Sequence, residues 1–379
     1  VNTTKKYRKY LKGFYMDSTK IGNKEAIALI VTIVFNHIVL NATTDIISTT
    51  GSSSLLNLLY VGIIALIFAC IVCYFLNKFP SYDLIDISKY LGGDILKWII
   101  GLFYIAYFIF FCGSFLHMFA SCLQVIYFPL TQLYYIILIF IITGIITCAF
   151  NYNAVFRSTL IFFPVLIFSL LFLFASDIPF YKVERIFPIW GYGIDKTFIA
   201  GLSNMFAFQG LTFIYFLPPM LKKPEKIKKI AVHSVIWSCV FLVISVAIIL
   251  FMFHSFLDSD ELLPLFSAVK YIEFGSFFRK LDSIFILIWI ISFTSFLSLI
   301  LKFSSIILSK LLKVKKNLLV TIALAIAIFF ASIWQKNHAD TVYWINSVYK
   351  YAFFILIIGI SSLVLIAGTI KLKIRKWLK

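Results

Sequence analysis

Apolar runs recur along the chain at 26–48, 55–77, 97–124, 133–150, 158–176, 198–218, 230–253, 281–301, 317–334 and 347–370. A helix rises about 1.5 Å per residue and the hydrocarbon layer is about 30 Å thick, so about 20 apolar residues span it. The pattern predicts an all-α polytopic membrane protein of ten transmembrane helices, here called spans 1 to 10. A basic segment (1–25) precedes this domain (26–370), and a basic tail (371–379) follows it. Most connections are short. The longest, 254–280, contains LLPLF and YIEFGSFF stretches of amphipathic character and is expected to lie along the outer surface.

Charge orients the pattern. With the N-terminus inside, 26 of the 34 basic residues fall in inner segments and 8 in outer ones. Cytoplasmic loops carry the excess of Lys and Arg, so both termini are predicted to be cytoplasmic. The net charge of +18 is therefore read as topology and a lipid-bilayer partner, with no nucleic acid implied. Only 13% of the residues are charged, against about 25% in ordinary soluble domains, and 62% are hydrophobic. All six cysteines lie inside apolar runs, so no loop disulfide framework is expected. Cys70 and Cys73 form a C-x-x-C on a span, where packing is the expected role. The basic start precedes an apolar run too long for a signal peptide, and no cleavage site follows it.

Two spans are poorly suited to lipid. Span 1 reads VFNHIVLNATTDIIS and span 6 reads IAGLSNMFAFQGLTFIYFLPP. Unpaired backbone groups in hydrocarbon cost several kcal/mol, so irregular backbone is tolerated only where it lines a cavity or is buried in protein. Spans 1 and 6 are corresponding positions if the ten spans form two inverted five-helix repeats. In transporters of that plan, discontinuous helices at such positions hold the substrate near the midplane. Both spans are thus expected to unwind, near 36–44 and 201–210. The other reading is that their polar residues bond to neighbouring helices.

Several stretches carry a family resemblance. They are KIGNKEAIALIVTIVFNHIVL (20–40), NKFPSYDLIDISKYLGGDILKWIIGLFYIAYFI (77–109), ERIFPIWGYGI (184–194), MFAFQGLTFIYFLPPMLKKPEK (205–226) and LDSIFILIWIISFTSFLSL (281–299). In order and spacing they resemble the spore germination permease family, the B subunit of the nutrient germinant receptor, within the amino acid–polyamine–organocation superfamily. Two departures stand out. Span 1 has Asn36-His37 where the superfamily carries a glycine-rich break. Span 6 lacks the usual acidic residue and has Gln209 before its glycine.

The resemblance implies a membrane receptor subunit in the spore inner membrane. It would bind a small nutrient, an amino acid, and signal through a large membrane subunit and a lipoprotein. An autonomous amino acid or amine transporter coupled to protons or sodium, and a scaffold with a degenerate pocket, share the same architecture. Candidate substrate-binding residues are Asn36, Asn41, Thr44, Gly201, Asn204, Phe208, Gln209 and Gly210, with Tyr107 of span 3. Half-helix N-terminal ends would take the ligand carboxylate, carbonyls at the opposite ends or Asn36, Asn41 and Gln209 its ammonium, and Phe208 an apolar wall. Thr294 and Ser295 of span 8 either bind an ion, as in sodium-coupled relatives of the fold, or bond back to their own helix. Asp45 is either an intramembrane functional acid or a residue of the outer mouth. The five histidines have no metal-ligand spacing, and no phosphate-binding glycine loop is present. The sequence points away from catalysis and implies no cofactor.

Overall fold

The computed structural model describes residues 20–149, 152–253, 264–270, 281–314 and 318–377. The described residues form helices in succession, with one isolated backbone bridge between Ile21 and Leu221. Among them, seven helical stretches are long and apolar enough to cross a membrane. Two shorter apolar helices, α5 (Leu133–Ala149) and α11 (Leu318–Ile333), fall on the fourth and ninth runs. The first two runs share one stretch, Asn23–Leu76, divided at Gly51, whose φ of 65° is left-handed backbone.

The helices are sided as a bilayer requires. On α3 (Ser54–Leu76), Leu59, Ile63, Ile67 and Ile71 are exposed and repeat every fourth residue, while Leu58, Val61, Ala65, Ala69 and Val72 are buried. Both faces are apolar, so the exposed one is suited to lipid. The 44-residue helix α4 (Leu84–Tyr127) carries span 3 and kinks at Gly92 and Gly93. The next long helices are α6 (Tyr152–Ser176) and α8 (Ile227–Met252). Of the long 254–280 connection, α9 (Pro264–Lys270) is described. Its Leu265, Phe266, Ala268 and Val269 are buried, so this part packs into protein instead of lying on the surface. The YIEFGSFF stretch lies outside the described residues. Span 8 is α10 (Leu281–Leu312).

Contacts sort the connections into two ends. At one end the Ile21 N–H donates to the Met220 carbonyl (2.8 Å) and the Lys222 N–H to that of Ile21 (3.0 Å). Lys310 meets Asp83 and Asp86 at the same end, and Lys371 donates to the Tyr90 and Leu91 carbonyls. At the other end the Tyr192 N–H donates to the Thr50 carbonyl (3.3 Å) and Arg185 to that of Phe251 (2.7 Å). The first group joins the segments that the charge pattern assigns to the inner face. Gly191, with φ +52°, makes the second clasp possible, because a Cβ there would stand 2.0 Å from the Thr50 carbonyl oxygen.

Spans 1 and 6 lie at the centre. In span 1, α1 (Asn23–His37) widens into a π turn at Ile38–Ala42 and continues as α2 (Thr43–Thr50). In span 6, α7 (Ile194–Phe198) is followed by a 3₁₀ helix, Ala200–Tyr215, whose Phe208 leaves helical geometry (φ −90°, ψ 23°). The expected interruption is present in both spans, but its form is corrected: neither becomes an extended segment. The residue inserted in span 1 is absorbed because the Thr43 hydroxyl donates to the Ile38 carbonyl (3.3 Å), which satisfies a group that unwinding would have left bare.

Candidate functional site

The site forms where span 1 meets span 3 and the 3₁₀ helix. Residues three apart eclipse in a 3₁₀ helix, so Phe206, Gln209, Thr212 and Tyr215 form one stripe. Its ends are fixed by contacts. Phe206 lies edge-on to Phe353 (5.6 Å) and to His37 (4.9 Å), and the Tyr215 hydroxyl donates to the Ile357 carbonyl (2.8 Å). Gln209 and Thr212 lie between them, buried, and Gln209 Nε2 and Thr212 Oγ1 have no hydrogen-bond partner among the described residues.

Span 1 supplies Asn36 and His37. Asn36 is fully buried and donates from Nδ2 to the Thr32 carbonyl (2.8 Å) and to Ser292 Oγ of span 8 (2.9 Å); its Oδ1 is unpartnered. The His37 ring sits between Phe206 and Phe115 (5.3 Å), and its Nδ1 is unpartnered. Span 3 adds Tyr107, stacked on Phe111 (5.8 Å), with an unpartnered hydroxyl. Phe111 and Phe115 in turn pack on Phe296 of span 8 (6.1 and 5.8 Å). The result is an aromatic cluster beside buried donors and acceptors that no described residue satisfies. Such an environment can orient a small polar solute.

Not every expected residue points here. Gly201 and Asn204 face span 2: a Cβ on Gly201 would stand 2.3 Å from Asn57 Nδ2, and Asn204 Nδ2 donates to Asn57 Oδ1 (2.8 Å). The Phe208 ring lies toward Gly62 of the same span. Gly210 is pressed on α1, where a Cβ would stand 2.7 Å from the Ile30 carbonyl oxygen, so its smallness serves helix packing. Asn41 lies farther out and donates to Asn346 Oδ1 (3.5 Å); Thr44 is half-buried beyond it. The hydroxyls of Thr294 and Ser295 turn back to the Ile290 (2.8 Å) and Ile291 (3.1 Å) carbonyls. Ser292 is the span 8 hydroxyl that meets span 1.

The residues that sequence reasoning missed are His37, Thr212, Ser292, Asn346 and Lys350. A signal for some of them is present. His37, Asn41 and Asp45 repeat every fourth residue and mark one polar face of span 1.

The chain matches the family described as spore germination protein over residues 20–340. It is 22% identical to spore germination protein B2 of Bacillus subtilis (strain 168) over 312 residues, covering 81% of this chain and 84% of that protein. Among solved structures it resembles Mhp1, a nucleobase-cation-symport-1 family transporter, closed with bromovinylhydantoin bound. The TM-score is 0.65 at 13% identity, over 90% of this chain and 80% of Mhp1. The inward-facing form of Mhp1 gives 0.59 at 14% identity, over 92% and 76%. A manganese transporter variant from Eremococcus coleocola gives 0.53 at 13% identity, over 90% and 76%. These likenesses show that the fold is that of solute transporters. With a family match over most of its length, this integral membrane protein belongs to the spore germination protein family.

Proposed function

We propose that this chain is the nutrient-binding membrane subunit of a spore germinant receptor. It takes a small nutrient, an amino acid, into the junction of spans 1, 3 and 6 and signals to a large membrane subunit and a lipoprotein. It crosses the spore's inner membrane ten times with both termini in the cytoplasm, and it is not an enzyme. The observation that carries this reading is the group of buried, unpartnered polar atoms on Asn36, His37, Tyr107, Gln209 and Thr212. An unsatisfied buried group costs about 1–3 kcal/mol, a cost that a bound polar solute offsets.

The second reading, an autonomous secondary transporter of amino acids or amines coupled to protons or sodium, is favoured by the likeness to Mhp1. The back-bonded hydroxyls of Thr294 and Ser295 weigh against a sodium site at that position. Two experiments separate the readings. Spores lacking this chain should lose the response to one nutrient, and proteoliposomes containing the chain alone should not accumulate that nutrient under a proton or sodium gradient. Gradient-driven accumulation, with germination unchanged in the deletion strain, would establish the transporter instead.

A further inference from the structure

The outward side of the site contains two opposite charges that the reading above does not use. Asp45 lies on α2, just past the π turn of span 1. Lys350 lies just past a second π turn, Ile345–Tyr349, which follows α12 (His338–Trp344) in span 10. Lys350 Nζ donates to Asp45 Oδ2 at 2.8 Å, and the two side chains are 10% and 12% exposed. The π turns meet one level inward, where Asn41 donates to Asn346.

The spacing makes this a ladder. Asn41 and Asp45 are four apart, as are Asn346 and Lys350, so amide and charge lie on one face of each helix. Each π turn inserts a residue and widens its helix at the level of the amide rung. One further step of four inward from Asn41 is His37, whose Nδ1 is buried and unpartnered. The ion pair is therefore the outer end of a polar stripe that runs to the site.

Charge balance narrows what could exchange with this pair. A partly buried ion pair adds little stability, because desolvation offsets its Coulomb attraction, whereas either charge left alone is costly. An anion that captured Lys350 would strand Asp45 beside it. A cation that captured Asp45 would strand Lys350. An uncharged solute could replace neither partner. A solute with an ammonium and a carboxylate a few ångströms apart satisfies both residues at once and leaves the site neutral.

We propose that Asp45 and Lys350 are specificity-determining residues that read the two charges of a zwitterionic α-amino acid, Asp45 accepting from its ammonium and Lys350 donating to its carboxylate. This rests on the nutrient-binding reading above and adds to it the two charged residues, at the outer end of the polar stripe, that recognise the amino acid's charges.

The test uses the full-length chain in nanodiscs. Thermal stabilisation is measured with each standard amino acid, and then with a panel of nucleosides and simple sugars. The amino acid that stabilises most is compared with its amide, which lacks the carboxylate, and with its des-amino acid, which lacks the ammonium. We expect the wild type to bind both analogues at least roughly tenfold more weakly. Asp45→Asn should weaken the amino acid by a similar factor and lose discrimination against the des-amino acid. Lys350→Met should lose discrimination against the amide. The double variant Asp45→Asn/Lys350→Gln keeps a neutral hydrogen-bonding pair, so it reads the effect even where a single variant fails to fold; it should lose both discriminations.

If the variants bind the amino acid as tightly as wild type or tighter, with discrimination intact, the pair is only a closure between spans 1 and 10 and the proposal fails. A sugar or nucleoside that binds in place of any amino acid, weakened by Gln209→Ala, overturns the zwitterion while the site stands. Binding of nothing in either panel overturns the site reading and the proposal with it.

Discussion

The two ends of the molecule bury charge differently. At the basic end, Lys310 at the close of span 8 is held by two carboxylates, Asp83 at 2.5 Å and Asp86 at 2.7 Å, and all three side chains are no more than 5% exposed. Lys97 adds a further bond by donating to the Lys310 carbonyl (2.5 Å). Asp83 and Asp86 also cap the start of α4 through each other's backbone N–H groups (3.3 and 3.0 Å). At the opposite end, Lys350 has a one-to-one partner in Asp45, nearer to solvent. One end is a closed knot joining the 2–3 connection to span 8. The other is a single pair, 10% and 12% exposed. The difference is in number of partners and burial: removing one charge strands more at the basic end than at the other.

The first way to break this comparison is to ask which end is which. In a background without native cysteines, a cysteine at position 225, beside the basic end, should be labelled from the cytoplasm alone. Labelling from outside in intact cells would invert the topology.

The next largest effect should come from Lys310→Met. It removes the cation bonded to both buried carboxylates, a loss of about 3–5 kcal/mol, and membrane abundance should fall sharply. Lys350→Met should lower abundance less, because Asp45 is closer to water. Equal losses would remove the distinction between the ends.

Gly210→Leu sharpens the assignment of span 6. The added side chain meets the Ile30 carbonyl and Val34 of α1, so it should cost about 1–3 kcal/mol as overpacking and lower the melting temperature. A variant that melts like wild type yet needs more nutrient would return Gly210 to the ligand-facing side.

The end opposite the basic one contains a second buried acid. Asp177, just past α6, has no partner for either carboxylate oxygen among the described residues, and burial pushes its carboxyl up to about 7. The folded group keeps its proton up to that pH, while an unfolded one releases it near about 4. Folding therefore takes up a proton between these values, and stability from this group falls as pH rises through that window. Asp177→Asn should flatten the wild-type decline in melting temperature between pH 4 and 7, and an unchanged slope would contradict it.

Much of the fold was legible because lipid imposes a simple rule. The ten apolar runs fall on described helix over most of their lengths, and the positions that break the rule, spans 1 and 6, are the distorted ones. The direction of the distortion was not legible. Polar residues announce that a helix is not facing lipid, but whether it widens or tightens depends on local partners such as the Thr43 hydroxyl. Individual site residues were legible only in part. Gln209, Asn36 and Tyr107 each carry a buried polar atom with no partner among the described residues, whereas Gly201, Asn204 and Phe208 face span 2, because which side of span 6 meets which helix is set by long-range packing that the sequence pattern does not show. Lys350 was hidden because it reads as an outer basic residue; its partner in span 1 is 305 positions away.

The central claim is that unsatisfied polar atoms at the junction bind a small nutrient, and Gln209→Ala tests it most directly. The substitution removes a buried donor that has no hydrogen-bond partner among the described residues. Losing one neutral hydrogen bond costs about 0.5–1.5 kcal/mol, so spores with normal amounts of the variant should need roughly threefold to tenfold more nutrient to germinate. A variant present at wild-type levels that responds at the wild-type concentration would contradict the account.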